Sequence, residues 1–85
     1  MNNRTIIDVR QPDEFASGHA AGSINIPLQE LENRLDEIRQ IEAPIVLCCG
    51  GGSRSGKAAE LLQSKGIACE NGGSWKSVQE RINNA

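Results

Sequence analysis

The run Ile45-Val46-Leu47-Cys48 has no polar residue in alternation, the pattern of a strand covered on both faces and so of a parallel sheet. Parallel strands need a crossover between them, usually a helix, and the rest of the chain supplies that alternation. Thr5-Ile6-Ile7-Asp8-Val9 is short and β-branched and reads as a first strand. Pro12-Asp13-Glu14-Phe15 starts a short helix, with proline at its entry and acids in its first turn, and Gly18 closes it. Ser23-Ile24-Asn25-Ile26 reads as a second strand, ended by Pro27. Leu28, Leu31, Leu35 and Ile38 fall three and four apart, which predicts one amphipathic helix that Pro44 prevents from continuing. A glycine-rich loop after Cys48 leads into a helix over Ser55–Lys65, packed through Ala58, Ala59, Leu61 and Leu62, with Gly66 just past its end. Ile67–Glu70 reads as the last strand, Asn71-Gly72-Gly73-Ser74 as a turn and Trp75–Ile82 as a final helix. The expected fold is α/β: a small central parallel sheet with right-handed crossovers and helices on both faces.

An 85-residue chain has room for one core, so residues 1–85 are expected to form a single domain. Its apolar share of 38% and charged share of 24% are those of a folded chain rather than a disordered one. A net charge of −2 argues against nucleic acid as a partner, since phosphate binding needs a Lys/Arg surplus. Phe15 and Trp75 are too few to form a base-stacking platform. No apolar run approaches the ~18–20 residues of a membrane span. Three cysteines, two of them adjacent, suit neither a disulfide framework nor a four-ligand zinc site, and reduced thiols fit a reducing compartment. The chain is expected to be cytoplasmic (periplasmic where a leader has been removed), monomeric and free of metal.

Ligands of parallel α/β sheets bind outside the carboxyl ends of the strands, which nominates the loop after Cys48. Three frames compete there. Gly51 to Lys57 nearly spells a phosphate-binding P-loop, but Ala58 stands where a magnesium-ligating Ser or Thr is needed. Cys48 followed after five residues by Arg54 has the spacing of a cysteine-dependent phosphatase; Cys49 to Arg54 is one residue shorter. In either cysteine frame, backbone N–H groups, the following helix dipole and Arg54 would favour thiolate over thiol. Glycines at 50, 51 and 52 keep side chains out of such a loop. Strand alternation separates the two: Cys48 continues the buried strand, and Cys49 is expected to be the first residue released into the loop.

At these residues the chain resembles the rhodanese-like sulfurtransferases. Ile7-Asp8-Val9-Arg10 with Glu14-Phe15 is similar to the family's N-terminal signature, and Gly18 to Pro27 to its second motif. Ile45 to Cys49, then Gly50 to Gly56, resembles the catalytic strand and loop, with Cys48 where the family often has tyrosine. Asn71-Gly72-Gly73-Ser74-Trp75 is similar to the late Gly-Gly motif. The resemblance implies a thiosulfate sulfurtransferase with Cys49 as the sulfur-carrying nucleophile and Gly50, Gly51, Gly52, Ser53 and Arg54 as the loop that binds substrate. It implies no cofactor beyond a covalent cysteine persulfide. Thiosulfate or a similar small donor would supply the sulfur, and a thiol, a protein thiol or cyanide would take it. Gly50 and Gly51 replace polar residues common in relatives, leaving Arg54 as the loop's one cation and arguing against strong thiosulfate affinity. The alternatives are a non-enzymatic persulfide carrier or interaction module, and a phosphatase or arsenate reductase built on Cys48.

Neighbouring residues have structural expectations. His19 bonds backbone and fixes its turn, Asp8 and Arg10 brace the edge of the site, and Trp75 plugs the space beneath the Gly72-Gly73 turn. Cys69 lies in the core, with a resolving role towards Cys49 as its alternative. Lys57 and Lys65 are solvated helix charges.

Overall fold

The structure, a computed structural model, describes residues 4–84; the ends of the expected 1–85 domain lie outside the described residues. Four strands, β1 (Thr5–Asp8), β2 (Ile24–Asn25), β3 (Ile45–Cys49) and β4 (Cys69–Ser74), form one sheet in the order β2-β1-β3-β4. All three pairings are parallel, as the apolar β3 run requires. The helices are α1 (Pro12–Ala16), α2 (Leu35–Arg39), α3 (Ser53–Ser64) and α4 (Trp75–Asn83).

Side-chain alternation divides the interior in two. Ile7, Ile45, Leu47 and Cys49 pack on one face with Leu31, Ile38, Ala58 and Leu62, beneath α2 and α3. Ile6, Val46 and Cys48 pack on the other with Ala20, Trp75 and Val78, beneath α4. Helices therefore cover both faces, and each face of β3 is dry.

Three elements differ from their expected form. The Leu28–Ile38 stripe is two 3₁₀ turns, Leu28–Glu30 and Glu32–Arg34, followed by the short α2. A three-residue period already brings Leu28 and Leu31 to one side, through Leu31 N–H to Leu28 carbonyl and Arg34 N–H to Leu31 carbonyl bonds. Continued, that period would turn Arg34 inward; its backbone at φ −121°, ψ 21° resets the phase so that Leu35 and Ile38 follow. The apolar spacing is as read, and the helix type is not.

Second, Asn71–Ser74 is strand rather than turn. β4 pairs Leu47 with Asn71 but Cys49 with Ser74, so one extra residue is accommodated as a bulge at Gly72-Gly73. Gly73 takes φ +86°. A Cβ at Gly72 would lie 2.7 Å from Val46 Cγ1 and 2.8 Å from Val78 Cγ2, so glycine there permits α4 to close on the sheet. Third, β3 runs through Cys49, and α3 begins at Ser53, two residues earlier than expected.

The chain leaves β1 towards β2 and leaves β3 towards β4. The carboxyl ends of β1 and β3 are thus a point where successive connections diverge, the place at which sheets of this kind bind ligands.

Candidate active site

Cys49 ends β3 on the α3 side of the sheet and is 1% exposed. It is not released into the loop; its side chain forms the loop's floor, because the pleat turns it away from Cys48 and under the start of α3. The loop folds back over the sulfur. Gly52 N–H donates to Cys49 Sγ at 2.9 Å, and the Ser55 hydroxyl lies 3.3 Å from it. Gly52 makes this possible by adopting φ +103° as the residue that caps α3, a left-handed conformation that favours glycine.

Burial pushes the Cys49 thiol up, but hydrogen bonds from the Ser55 hydroxyl and from the Ser55, Gly51 and Gly52 amides outweigh it, leaving the pKa at about 7. For Cys48 the nearby Arg10 charge offsets only a small part of the burial. Desolvation, with the Asp8 carboxylate beside it, pushes that thiol up to about 12. Cys48 is fully buried on the α4 face and does not face the loop, so the longer frame ending at Arg54 has no nucleophile at its origin.

The remaining loop residues are placed as follows. Gly50 and Gly51 are exposed, and a Cβ at Gly51 would meet nothing within 4 Å. Ser53 is an exposed residue in the first turn of α3. Arg54, expected to lend its charge to the sulfur, does so only at a distance; its guanidinium donates to both carboxylate oxygens of Glu14, at 2.7 and 3.1 Å. Glu14 comes from α1, which follows β1, and the Arg54 guanidinium beside it holds its carboxyl at about 2. The groups that lower Cys49 most are a hydroxyl and backbone amides; the Arg54 charge acts on the sulfur only at longer range.

Two more residues complete the site. Ser55 is fully buried, and its hydroxyl lies 2.6 Å from Asn71 Oδ1. Asn71, on β4 before the bulge, also donates to the Gly52 carbonyl at 3.1 Å and accepts the Gly73 N–H at 2.9 Å. The Gly-Gly bulge is therefore tied to the Cys49 loop through one amide side chain. Sequence reasoning did not select Glu14, Ser55 or Asn71 individually. Each lay inside a motif already noted, but their partners are 40, 6 and 19 residues away.

Behind the loop, Arg10 and Asp8 form a buried ion pair with Nη2 to Oδ2 at 2.8 Å, and Arg10 also donates to the Glu14 and Gly18 carbonyls. His19 Nδ1–H donates to the Phe15 carbonyl at 2.8 Å, and its ring stacks on Phe15. Trp75 lies against Gly18 and under Arg10, 5.2 Å from the guanidinium carbon, rather than beneath Gly72-Gly73. Lys57 and Lys65 are exposed.

A resolving role for Cys69 is excluded by register: it pairs with Ile45, four residues before Cys49. At ~3.3 Å per residue the two cysteines are roughly 13 Å apart along the sheet, beyond the reach of a disulfide. Cys48 points through the opposite face and is excluded equally. No helix among the described residues is long and apolar enough to cross a membrane.

The profile of the "Rhodanese-like domain" family matches residues 1–81. The chain is 48% identical over 61 residues to protein YqhL of Bacillus subtilis, covering 72% of this chain and 48% of YqhL, so it spans about half of that relative. It is 35% identical over 74 residues to thiosulfate sulfurtransferase PspE of Escherichia coli, covering 85% of this chain and 71% of PspE. Among solved structures, a rhodanese with anions from E. coli superposes with a TM-score of 0.78 at 34% identity, covering 87% of this chain and 89% of that one. Reduced Bacillus anthracis CoADR-RHD gives 0.80 at 40% identity, covering 89% of this chain but 14% of that one.

Proposed function

This chain belongs to the rhodanese-like domain family, and on that premise we propose that it transfers sulfane sulfur from a small donor such as thiosulfate to a thiol through a persulfide on Cys49. One observation carries the reading: Cys49 Sγ accepts the Gly52 amide at 2.9 Å on the floor of a loop that opens into α3. Amides aimed at the sulfur favour thiolate, and the same donors can hold the charged outer sulfur of a persulfide. With the thiol lowered to about 7, a large share is ionised near neutral pH and no separate general base is needed.

In the first step the Cys49 thiolate attacks the outer sulfur of thiosulfate. A new S–S bond forms, the donor's S–S bond breaks, and its electron pair leaves with sulfite. In the second step an acceptor thiolate attacks the outer sulfur of Cys49–S–S⁻, forming the acceptor persulfide and regenerating the Cys49 thiolate. Cyanide in place of the thiol yields thiocyanate. Both steps conserve charge, and the persulfide itself carries the sulfur without a metal or organic cofactor.

The test is direct. After incubation with thiosulfate and desalting, the protein should gain the mass of one sulfur atom. Cys49→Ser should abolish the gain and Cys48→Ala should retain it. Loading that survives Cys49→Ser, or its absence from the wild type with thiosulfate and other sulfane donors alike, overturns the reading.

A further inference from the structure

The loop's one cation is already occupied. Arg54 makes a two-pronged contact with Glu14, and Glu14 is itself fixed: its Oε1 accepts the Gln11 N–H at 3.0 Å in a capping box at the start of α1, while its carbonyl accepts from Arg10. Three bonds therefore hold the carboxylate beside the loop, and a fourth fixes its backbone, rather than leaving it free to swing aside. Any anion entering the Cys49 loop meets an Arg54 whose positive charge the Glu14 carboxylate already offsets.

We propose that Glu14 is a specificity-determining residue: by occupying the Arg54 guanidinium, it biases the Cys49 site against doubly charged sulfur donors and towards singly charged ones such as alkyl persulfides and thiosulfonates. This rests on the sulfurtransferase reading. The physical basis is that repulsion from a fixed charge scales with the charge of the incoming anion, so its effect on the logarithm of affinity is twice as large for a dianion as for a monoanion. The amides of Gly51, Gly52 and Ser55 favour anions as well, but their contribution is the same whether or not residue 14 is charged.

The perturbation is Glu14→Gln. Glutamine at the third helical position still accepts the Gln11 N–H, so the cap survives while the charge is lost. Two donors are compared: thiosulfate, a dianion, and methanethiosulfonate, a monoanion whose transfer to Cys49 releases methanesulfinate. In Glu14→Gln the KM for thiosulfate should fall about four- to tenfold and that for methanethiosulfonate about two- to threefold, at low ionic strength where the charges are poorly screened. The change should fall on KM rather than kcat. Sulfate, which cannot react, should protect Cys49 from alkylation at a correspondingly lower concentration in the variant.

Equal shifts for the two donors, or an unchanged thiosulfate KM with unchanged sulfate protection, overturn the proposal even where Cys49 loads normally. Conversely, if neither donor loads Cys49 in either protein while sulfate protection sharpens in Glu14→Gln, the charge bias stands and the sulfurtransferase reading fails.

Discussion

Ser55→Ala offers the sharpest test of how the Cys49 thiol is lowered. The Ser55 hydroxyl has one proton and three acceptors around it: Asn71 Oδ1 at 2.6 Å, the Gly52 carbonyl at 3.2 Å and Cys49 Sγ at 3.3 Å. While Cys49 is a thiol, its S–H can donate to Ser55 and the serine proton can stay on Asn71. Once Cys49 ionises, the serine proton must turn to the sulfur, leaving Asn71 Oδ1 with the Gly73 N–H. The net gain is therefore at the low end of the roughly 1.5–3 kcal/mol of a hydrogen bond to a charged group, about 1.5 kcal/mol or about one pKa unit. Ser55→Ala should raise the Cys49 pKa from about 7 to about 8, the one-unit rise that this loss implies. At pH 7 the thiolate fraction then falls from about a half to about a tenth, while each remaining thiolate becomes about threefold more nucleophilic towards disulfides. Exchange with 4,4′-dithiodipyridine, followed against pH in a Cys69→Ser background, should be about twofold slower than wild type at pH 7 and about threefold faster above pH 9. The crossing of the two pH profiles is the signature. A midpoint that stays put or moves down in Ser55→Ala refutes the role assigned to the hydroxyl.

Two further outcomes follow from packing. Gly72→Ala drives a methyl group to within 2.7–2.8 Å of Val46 and Val78; such overpacking costs about 1–3 kcal/mol. A thermal melt should register a drop of at least about 4 °C, and an unchanged Tm contradicts the close approach. Asp8→Ala leaves Arg10, 5% exposed, with carbonyl partners alone, a loss of about 3–5 kcal/mol from a stability of roughly 5–15. Urea unfolding should show it, and a loss below about 1 kcal/mol would mean the buried pair is dispensable.

What the sequence disclosed follows from how locally each feature is encoded. Ile45–Cys48 announces β3 because burial on both faces removes every polar residue from the run, and the parallel sheet follows from it. The apolar stripe from Leu28 to Ile38 marks which side chains go inside, but steps of three and four suit both a 3₁₀ and an α-helical turn, so the helix type stayed hidden. Asn71-Gly72-Gly73-Ser74 has the composition of a turn; only the proximity of Val46 and Val78 shows that the glycines are there to let a strand pass. The Glu14–Arg54 pair was hidden for a different reason. Its members leave β1 and β3, and only the strand order brings those exits together.

The two adjacent cysteines show how little of a thiol's chemistry is fixed by its neighbours in sequence. They share a strand and a flanking loop, yet one is held at about 12 and the other at about 7. The pleat sends Cys48 into the apolar layer beside Asp8 and Cys49 under the amides of α3. A one-residue slip of β3 would exchange them, so the register of β3 is a condition of the site. On one side it is pinned by four consecutive pairs from Thr5–Ile45 to Asp8–Cys48. On the other, β4 follows regularly to Leu47–Asn71 and then inserts its extra residue before Ser74 meets Cys49. That bulge falls at the one level where a regular ladder would interfere: it leaves the Asn71 side chain free to bridge the Gly52 carbonyl, the Ser55 hydroxyl and the Gly73 amide. The Gly-Gly pair thus acts on the nucleophile through geometry alone, by allowing β4 to stop matching β3 just where the loop over Cys49 needs an anchor.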